Sequence, residues 1–198
     1  MSLKKSLKDG WDFLWNSNSF SSWIALLLIC FVVVRFILFP VLGFALGGTP
    51  LPLVVVESSS MEHQGGFDSW WEKKGDWYKQ RNFTKEEVSS WDFSNGLDKG
   101  DIVVSKRLKE YVNYKVGDVI IFRTPSQKTP IIHRIIGKDK NFFSFRTKGD
   151  NNPGQNFYEN DVLEEYVVSK AVLRIPKLGW IKLVFVELIR LIQGASST

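Results

Sequence analysis

The sequence predicts a mainly β domain behind one membrane-spanning helix, with a small helical insertion and an amphipathic C-terminal helix. Three observations lead there. An apolar run over 24–46 has the length of a bilayer span. Short Val-, Ile- and Phe-rich runs separated by Gly, Asp, Asn and Pro follow it. The region between the first of these runs and the second changes to a Trp-rich, capping-box pattern. The chain has 198 residues, 44% of them hydrophobic, enough for one ordinary domain with accessory elements. One cysteine, Cys30, excludes an intramolecular disulfide and a Cys-built zinc site, and His63 and His133 are too few for a His-rich metal centre. No metal and no cofactor is therefore expected. The net charge of +5 is spread without a long basic run, so no nucleic-acid partner is expected either.

The span reads IALLLICFVVVRFILFPVLGFAL and carries a single charge, Arg35. Each Leu, Ile, Val or Phe contributes roughly −0.3 to −0.6 kcal/mol to insertion, against about +2.5 to +3.5 kcal/mol for one central Arg, so insertion wins. Pro40 is placed to kink the exit end. A cleavable signal sequence is the competing reading, but the run is longer than a usual signal core and begins beyond residue 20. Lys4, Lys5 and Lys8 precede the span, and no Lys or Arg follows until Lys73. The positive-inside bias then puts residues 1–22 in the cytoplasm, the helix at 23–46, and the rest outside or in a lumen.

Strands are expected over 51–57, 101–107, 116–124, 131–136, 141–148 and 166–175, within a domain covering 49–176. The insertion at 62–98 holds Trp70, Trp71, Trp77 and Trp91, and two helix starts, at Ser69-x-x-Glu72 and Thr84-x-x-Glu87. Two readings of it stand side by side: an aromatic surface resting on the bilayer, or a small aromatic core. Asn82-Phe83-Thr84 is a glycosylation sequon. Over 177–198, Lys182, Glu187 and Arg190 fall on one side of an otherwise apolar helix, as in a segment lying in the membrane interface.

Three fragments carry chemistry. Val54-Val55-Val56-Glu57-Ser58-Ser59-Ser60-Met61 is a strand breaking into three hydroxyls, which by composition alone is turn material. Pro130 to Gly137 is a strand in which His133 shares a face with Ile131 and Ile135, the setting of an ordinary core histidine. Thr147 to Pro153 is a strand ending in a turn.

Taken together and in order, these pieces resemble the type I signal peptidase family, in its archaeal and endoplasmic-reticulum branch. The matching segments are Ser58-Ser59-Ser60-Met61-Glu62, Lys99-Gly100-Asp101-Ile102-Val103, Val116-Gly117-Asp118-Val119-Ile120-Ile121-Phe122, His133-Arg134-Ile135 and Thr147-Lys148-Gly149-Asp150-Asn151-Asn152. The resemblance implies a signal-peptidase-like β domain and a Ser/His endopeptidase, since the bacterial branch has Lys where this chain has His133. It picks Ser60 as nucleophile and His133 as general base. A serine hydroxyl attacks an amide only when a base within hydrogen-bond reach takes its proton, and imidazole does so near neutral pH. It also implies an oxyanion hole from the Ser60 N–H and the Ser58 hydroxyl. In the family an Asp orients the histidine from the position held here by Asn156, so the expected carboxylate is Asp161, with Asp150 as second choice. His63, three residues after Ser60, receives no role.

The implied substrates are signal-peptide-bearing preproteins, with the lipid bilayer and accessory subunits or a translocon as further partners. An extended substrate is expected to pair with strand edges at 54–58 and 116–122, with Val56, Val119 and Ile121 lining pockets for small side chains. A catalytically inactive, membrane-tethered binding or scaffold subunit of a preprotein-processing complex is the alternative, and Asn156 is the residue that argues for it. A self-cleaving repressor-type protease is set aside, because it needs a Ser/Lys pair and a DNA-binding domain.

Overall fold

The computed structural model describes residues 3–125 and 127–195. It divides into two compact units, one ending at Ala45 and one beginning at Leu46.

The first unit is helical. Helix α1 (Leu3–Trp15) falls in the stretch read from sequence only as a cytoplasmic segment, and its Trp11 and Trp15 rings stack at 5.0 Å. The apolar helix runs from Phe20 to Ala45, long and apolar enough to cross a membrane. Its Ser19 N-cap accepts the Ser22 N–H, satisfying one of the donors that a helix start leaves free. Within it, α2 (Phe20–Val33) and α3 (Phe39–Ala45) are joined by a π-helical stretch at Val34–Leu38. Pro40 cannot donate to the carbonyl four residues back and its ring crowds that turn, so the wider π stretch just before it absorbs the strain within a continuous helix.

The second unit is built on one antiparallel sheet of seven strands in the order β1-β2-β7-β3-β4-β5-β6. The strands are β1 (Leu53–Val55), β2 (Ile102–Lys106), β3 (Val119–Thr124), β4 (Gln127–Asp139), β5 (Ser144–Lys148), β6 (Val162–Leu163) and β7 (Val167–Ile175). All six expected runs form strands; β6, only two residues long, is the one the sequence pattern does not show. Strand β3 places Ile120 and Phe122 in one apolar cluster and Val119 and Ile121 in another. Both of its faces are covered, which is why it reads as an unbroken apolar run.

Strand β7 crosses back between β2 and β3, and this corrects one expectation. Strand β3 is interior, paired with β4 on one side and β7 on the other, so it offers no edge to a substrate. Val119 and Ile121 are 0% exposed and Val56 2%, so these three are core residues rather than pocket walls. Strand β1 does lie at an edge.

The insertion folds into α4 (Gly66–Lys79) and α5 (Lys85–Ser89). Thr84 caps α5, its hydroxyl accepting the Glu87 N–H at 3.1 Å, whereas α4 starts at Gly66, so Ser69 lies inside the helix rather than at its cap. Trp70, Trp71, Tyr78 and Val88 bury themselves together with Ile136 of β4. Of the two readings the aromatic core holds. Helix α6 (Trp180–Ala195) closes the unit; Lys182 pairs with Glu57 at 2.8 Å, and Ile181, Val184, Phe185 and Leu188 are exposed.

Candidate active site

The site forms where three chain segments meet. After β1 the chain stays in register with the loop before β2, through Val56 N–H to Asp101 O and Gly100 N–H to Val56 O, and then turns at Ser58–Ser59–Ser60. Met61, 1% exposed, is buried in the core just behind that turn, and its carbonyl accepts the Leu97 N–H. One residue before such an anchor, Ser60 is left half-buried with its hydroxyl facing the sheet.

His133 stands on β4 opposite Ile120, on the face expected from its alternation with Ile131 and Ile135. Its Nε2 lies 3.1 Å from Ser60 Oγ. Its Nδ1 lies 2.5 Å from Glu159 Oε1. A carboxylate only accepts, so Nδ1 carries a proton, and Nε2 is the nitrogen left to accept the proton of the serine hydroxyl.

Neither carboxylate expected from sequence stands beside His133. Asp161 is exposed on the loop beyond, and Asp150 gives its oxygens to Arg134, His63 and Tyr78. The partner is Glu159, completely buried and missed in the sequence reading. Asn156 explains its position. Asn156 caps the single 3-10 turn Phe157–Glu159, and its backbone N–H and its Nδ2 donate to Glu159 Oε2 at 2.7 and 2.9 Å. The capping box fixes one carboxylate oxygen and turns the other toward the imidazole. Burial alone would raise the Glu159 pKa. The hydrogen bond and charge of His133, with the Asn156 donors, outweigh burial and hold it below the usual carboxylate range. The signal in the sequence was Asn-x-x-Glu over 156–159, the same pattern as Thr84-x-x-Glu87.

Ser58 Oγ is 3.1 Å from Ser60 Oγ and exposed, beside the position a reacting carbonyl would take. The Ser60 N–H makes no hydrogen bond among the described residues, so a donor is free there. Gly149 lies against the imidazole: a Cβ on it would stand 2.7 Å from His133 Nε2. His63 takes no part in the serine–imidazole contact; it is buried, stacked on Trp70, with its Nε2 on Asp150. Among the described residues no cluster of three His, Cys, Asp or Glu side chains is arranged to hold a metal ion.

A serine hydroxyl, an imidazole and a buried carboxylate in one hydrogen-bonded line are the parts of nucleophilic acyl transfer. Comparison with known proteins points the same way. The chain is 29% identical over 83 residues to a protein of Dictyostelium discoideum named signal peptidase complex catalytic subunit, covering 36% of this chain and 44% of that one. A protein of the same name from Clavispora lusitaniae is 32% identical over 83 residues, covering 37% and 49%. Another from Zygosaccharomyces rouxii is 30% identical over 103 residues, covering 48% and 60%. The chain thus spans about half the length of the curated relatives it matches. No family model matches it. The resemblance to the endoplasmic-reticulum branch of the signal peptidases is borne out by these relatives.

Proposed function

We propose that this chain is a membrane-anchored serine endopeptidase that removes signal peptides from exported preproteins. The observation that carries the reading is the Ser60 Oγ to His133 Nε2 contact of 3.1 Å, with the far side of the ring held by a buried carboxylate. His133 takes the Ser60 proton as Oγ attacks the scissile carbonyl, then returns it to the leaving amine; water repeats the cycle on the acyl-enzyme. Glu159 keeps the ring in the tautomer that accepts at Nε2 and stabilises the imidazolium that forms. The Ser60 N–H and the Ser58 hydroxyl receive the developing oxyanion.

Strand β1, an edge strand ending three residues before Ser58, offers its open side to an extended peptide, which main-chain hydrogen bonds would lead toward Ser60. The apolar helix Phe20–Ala45 serves as anchor, with Lys4, Lys5 and Lys8 holding the N-terminus on the cytoplasmic side. The exposed apolar residues of α6 suit a helix lying in a membrane interface. The relatives' name contains the word complex, which supports assembly with accessory subunits. The inactive scaffold reading rested on Asn156; with Asn156 holding Glu159 in place, that residue no longer argues for it.

The test uses the full chain in detergent with a labelled preprotein. The wild type should release the signal peptide, and Ser60→Ala and His133→Ala should each abolish release while leaving the circular dichroism spectrum unchanged. Undiminished cleavage in either variant rejects the mechanism.

A further inference from the structure

We propose that the aromatic insertion at 62–98 is a positioning device for the Ser60–His133 pair, acting through Asp150, with His63 and Tyr78 as its positioning residues. The inference rests on the catalytic reading above and deepens it.

The segment Gly149–Asn151 touches both members of the pair. Gly149 packs its backbone against the His133 ring, and Asn151 donates its N–H to Ser60 O at 2.8 Å and its Nδ2 to Ser59 O at 3.1 Å. Any shift of this segment therefore moves the nucleophile relative to its base. Asp150, between them and fully buried, holds the segment in place. Arg134, the residue after His133, donates Nε and Nη2 to its carboxylate at 2.7–3.0 Å. The insertion supplies the rest: His63 Nε2 to Oδ2 at 3.0 Å, Tyr78 OH to Oδ1 at 3.2 Å, and Trp70 Nε1 to the Asp150 carbonyl at 3.1 Å. Arg134 is in turn held by the insertion, donating to the Asp92 and Phe93 carbonyls.

Packing alone does not account for His63. Its ring stacks on Trp70 at 3.9 Å and 6°, which a phenyl ring would also do. Its Nδ1 is buried with no hydrogen-bond partner among the described residues, and leaving a buried polar atom unsatisfied carries a free-energy cost. A site that bears that cost for an imidazole uses the other nitrogen, and the other nitrogen is on Asp150.

The test compares His63→Phe, which keeps the stack and loses the donor, with His63→Gln, which keeps an N–H, and Tyr78→Phe, which loses only the hydroxyl. A misplacement of about 1 Å in a reacting pair costs about a hundredfold. His63→Phe and Tyr78→Phe should thus lower kcat on the labelled preprotein about tenfold to a hundredfold with KM unchanged, and His63→Gln should recover most of it. The His133 Nδ1 proton resonance should move in His63→Phe and return in His63→Gln, a readout that needs no substrate. A wild-type kcat and an unmoved resonance in His63→Phe overturn the proposal. So does an equal loss in His63→Gln and His63→Phe. If the wild-type chain cleaves no preprotein, the peptidase reading fails, and the resonance still decides the positioning role.

Discussion

Replacing Glu159 by Gln changes one oxygen for an NH2 group, and the surroundings dictate which way the amide must turn. Two donors from Asn156, at 2.7 and 2.9 Å, converge on the Oε2 side. A glutamine can meet them only with its oxygen. Its NH2 then faces His133 Nδ1, which must accept, and the ring is driven to the tautomer with its proton on Nε2. That nitrogen now points a hydrogen at Ser60 Oγ, 3.1 Å away, and has no lone pair to take the serine proton. Carboxylate-to-amide changes in Ser–His–acid triads that trap this tautomer lower kcat by about 10⁴-fold. At about 1.4 kcal/mol per factor of ten, that is about 5.5 kcal/mol of transition-state stabilisation. The expected outcome for Glu159→Gln is such a fall in kcat for preprotein cleavage, with the melting temperature little changed because the side-chain volume is the same. Asp161→Ala should leave kcat within about twofold, since that side chain is exposed. A Glu159→Gln enzyme with near-wild-type turnover, or an Asp161→Ala enzyme as impaired as it, would refute the reasoning.

Gly149→Ala should abolish turnover without unfolding the domain, because the new methyl would sit 2.7 Å from His133 Nε2, on the nitrogen that faces Ser60; an active variant with unchanged kcat contradicts this packing. Ile121→Ala should cost about 2–5 kcal/mol of stability by denaturant unfolding and leave the choice of cleavage site unchanged, since Ile121 lies in the core; a shift of cleavage site would restore it to a pocket. Burial lowers the Lys148 pKa from the ordinary 10.5 to about 8. Between those values the unfolded chain binds more protons than the folded one, so stability should be level below about pH 8 and rise by up to ~3 kcal/mol toward pH 10.5. Lys148→Met should lack that rise, and identical pH profiles for the two proteins count against the lowered Lys148 pKa.

What the sequence disclosed and what it withheld divide by range. Apolar periodicity is a local property, so the helix at 20–45 and every strand except the two-residue β6 follow from their own residues, and the alternation in 131–135 places His133 on its correct face. Strand order is not local. Whether β3 is an edge depends on β7 arriving from 48 to 50 residues downstream to pair with it, through Ile120 opposite Lys170 and Ile121 opposite Ser169, and nothing in the run 116–124 records that. His63 is hidden for the same reason, since its partner Asp150 lies 87 residues away.

Glu159 is the informative case, because its placement is local after all. A family-based reading looks for an acid at position 156 and, finding Asn, moves on to the next aspartate. Read as a capping residue instead, Asn156 predicts that Glu159 will fold back onto it, which leaves one carboxylate oxygen satisfied and the other aimed outward. The turn sits after β5, and β5 pairs with β4 through Arg134 opposite Lys148 and Ile135 opposite Thr147, so the outward oxygen meets the His133 ring. The carboxylate's orientation thus comes from a helix-capping rule, and its neighbour from strand register. Asn156→Ala separates the two: it removes the Nδ2 donor while the backbone N–H remains. The turn should weaken by about 1 kcal/mol, and kcat should fall far less than in Glu159→Gln, because an ionised carboxylate can still accept from Nδ1. Should Asn156→Ala prove as damaging as Glu159→Gln, the asparagine and not the glutamate would be the residue that orients the imidazole.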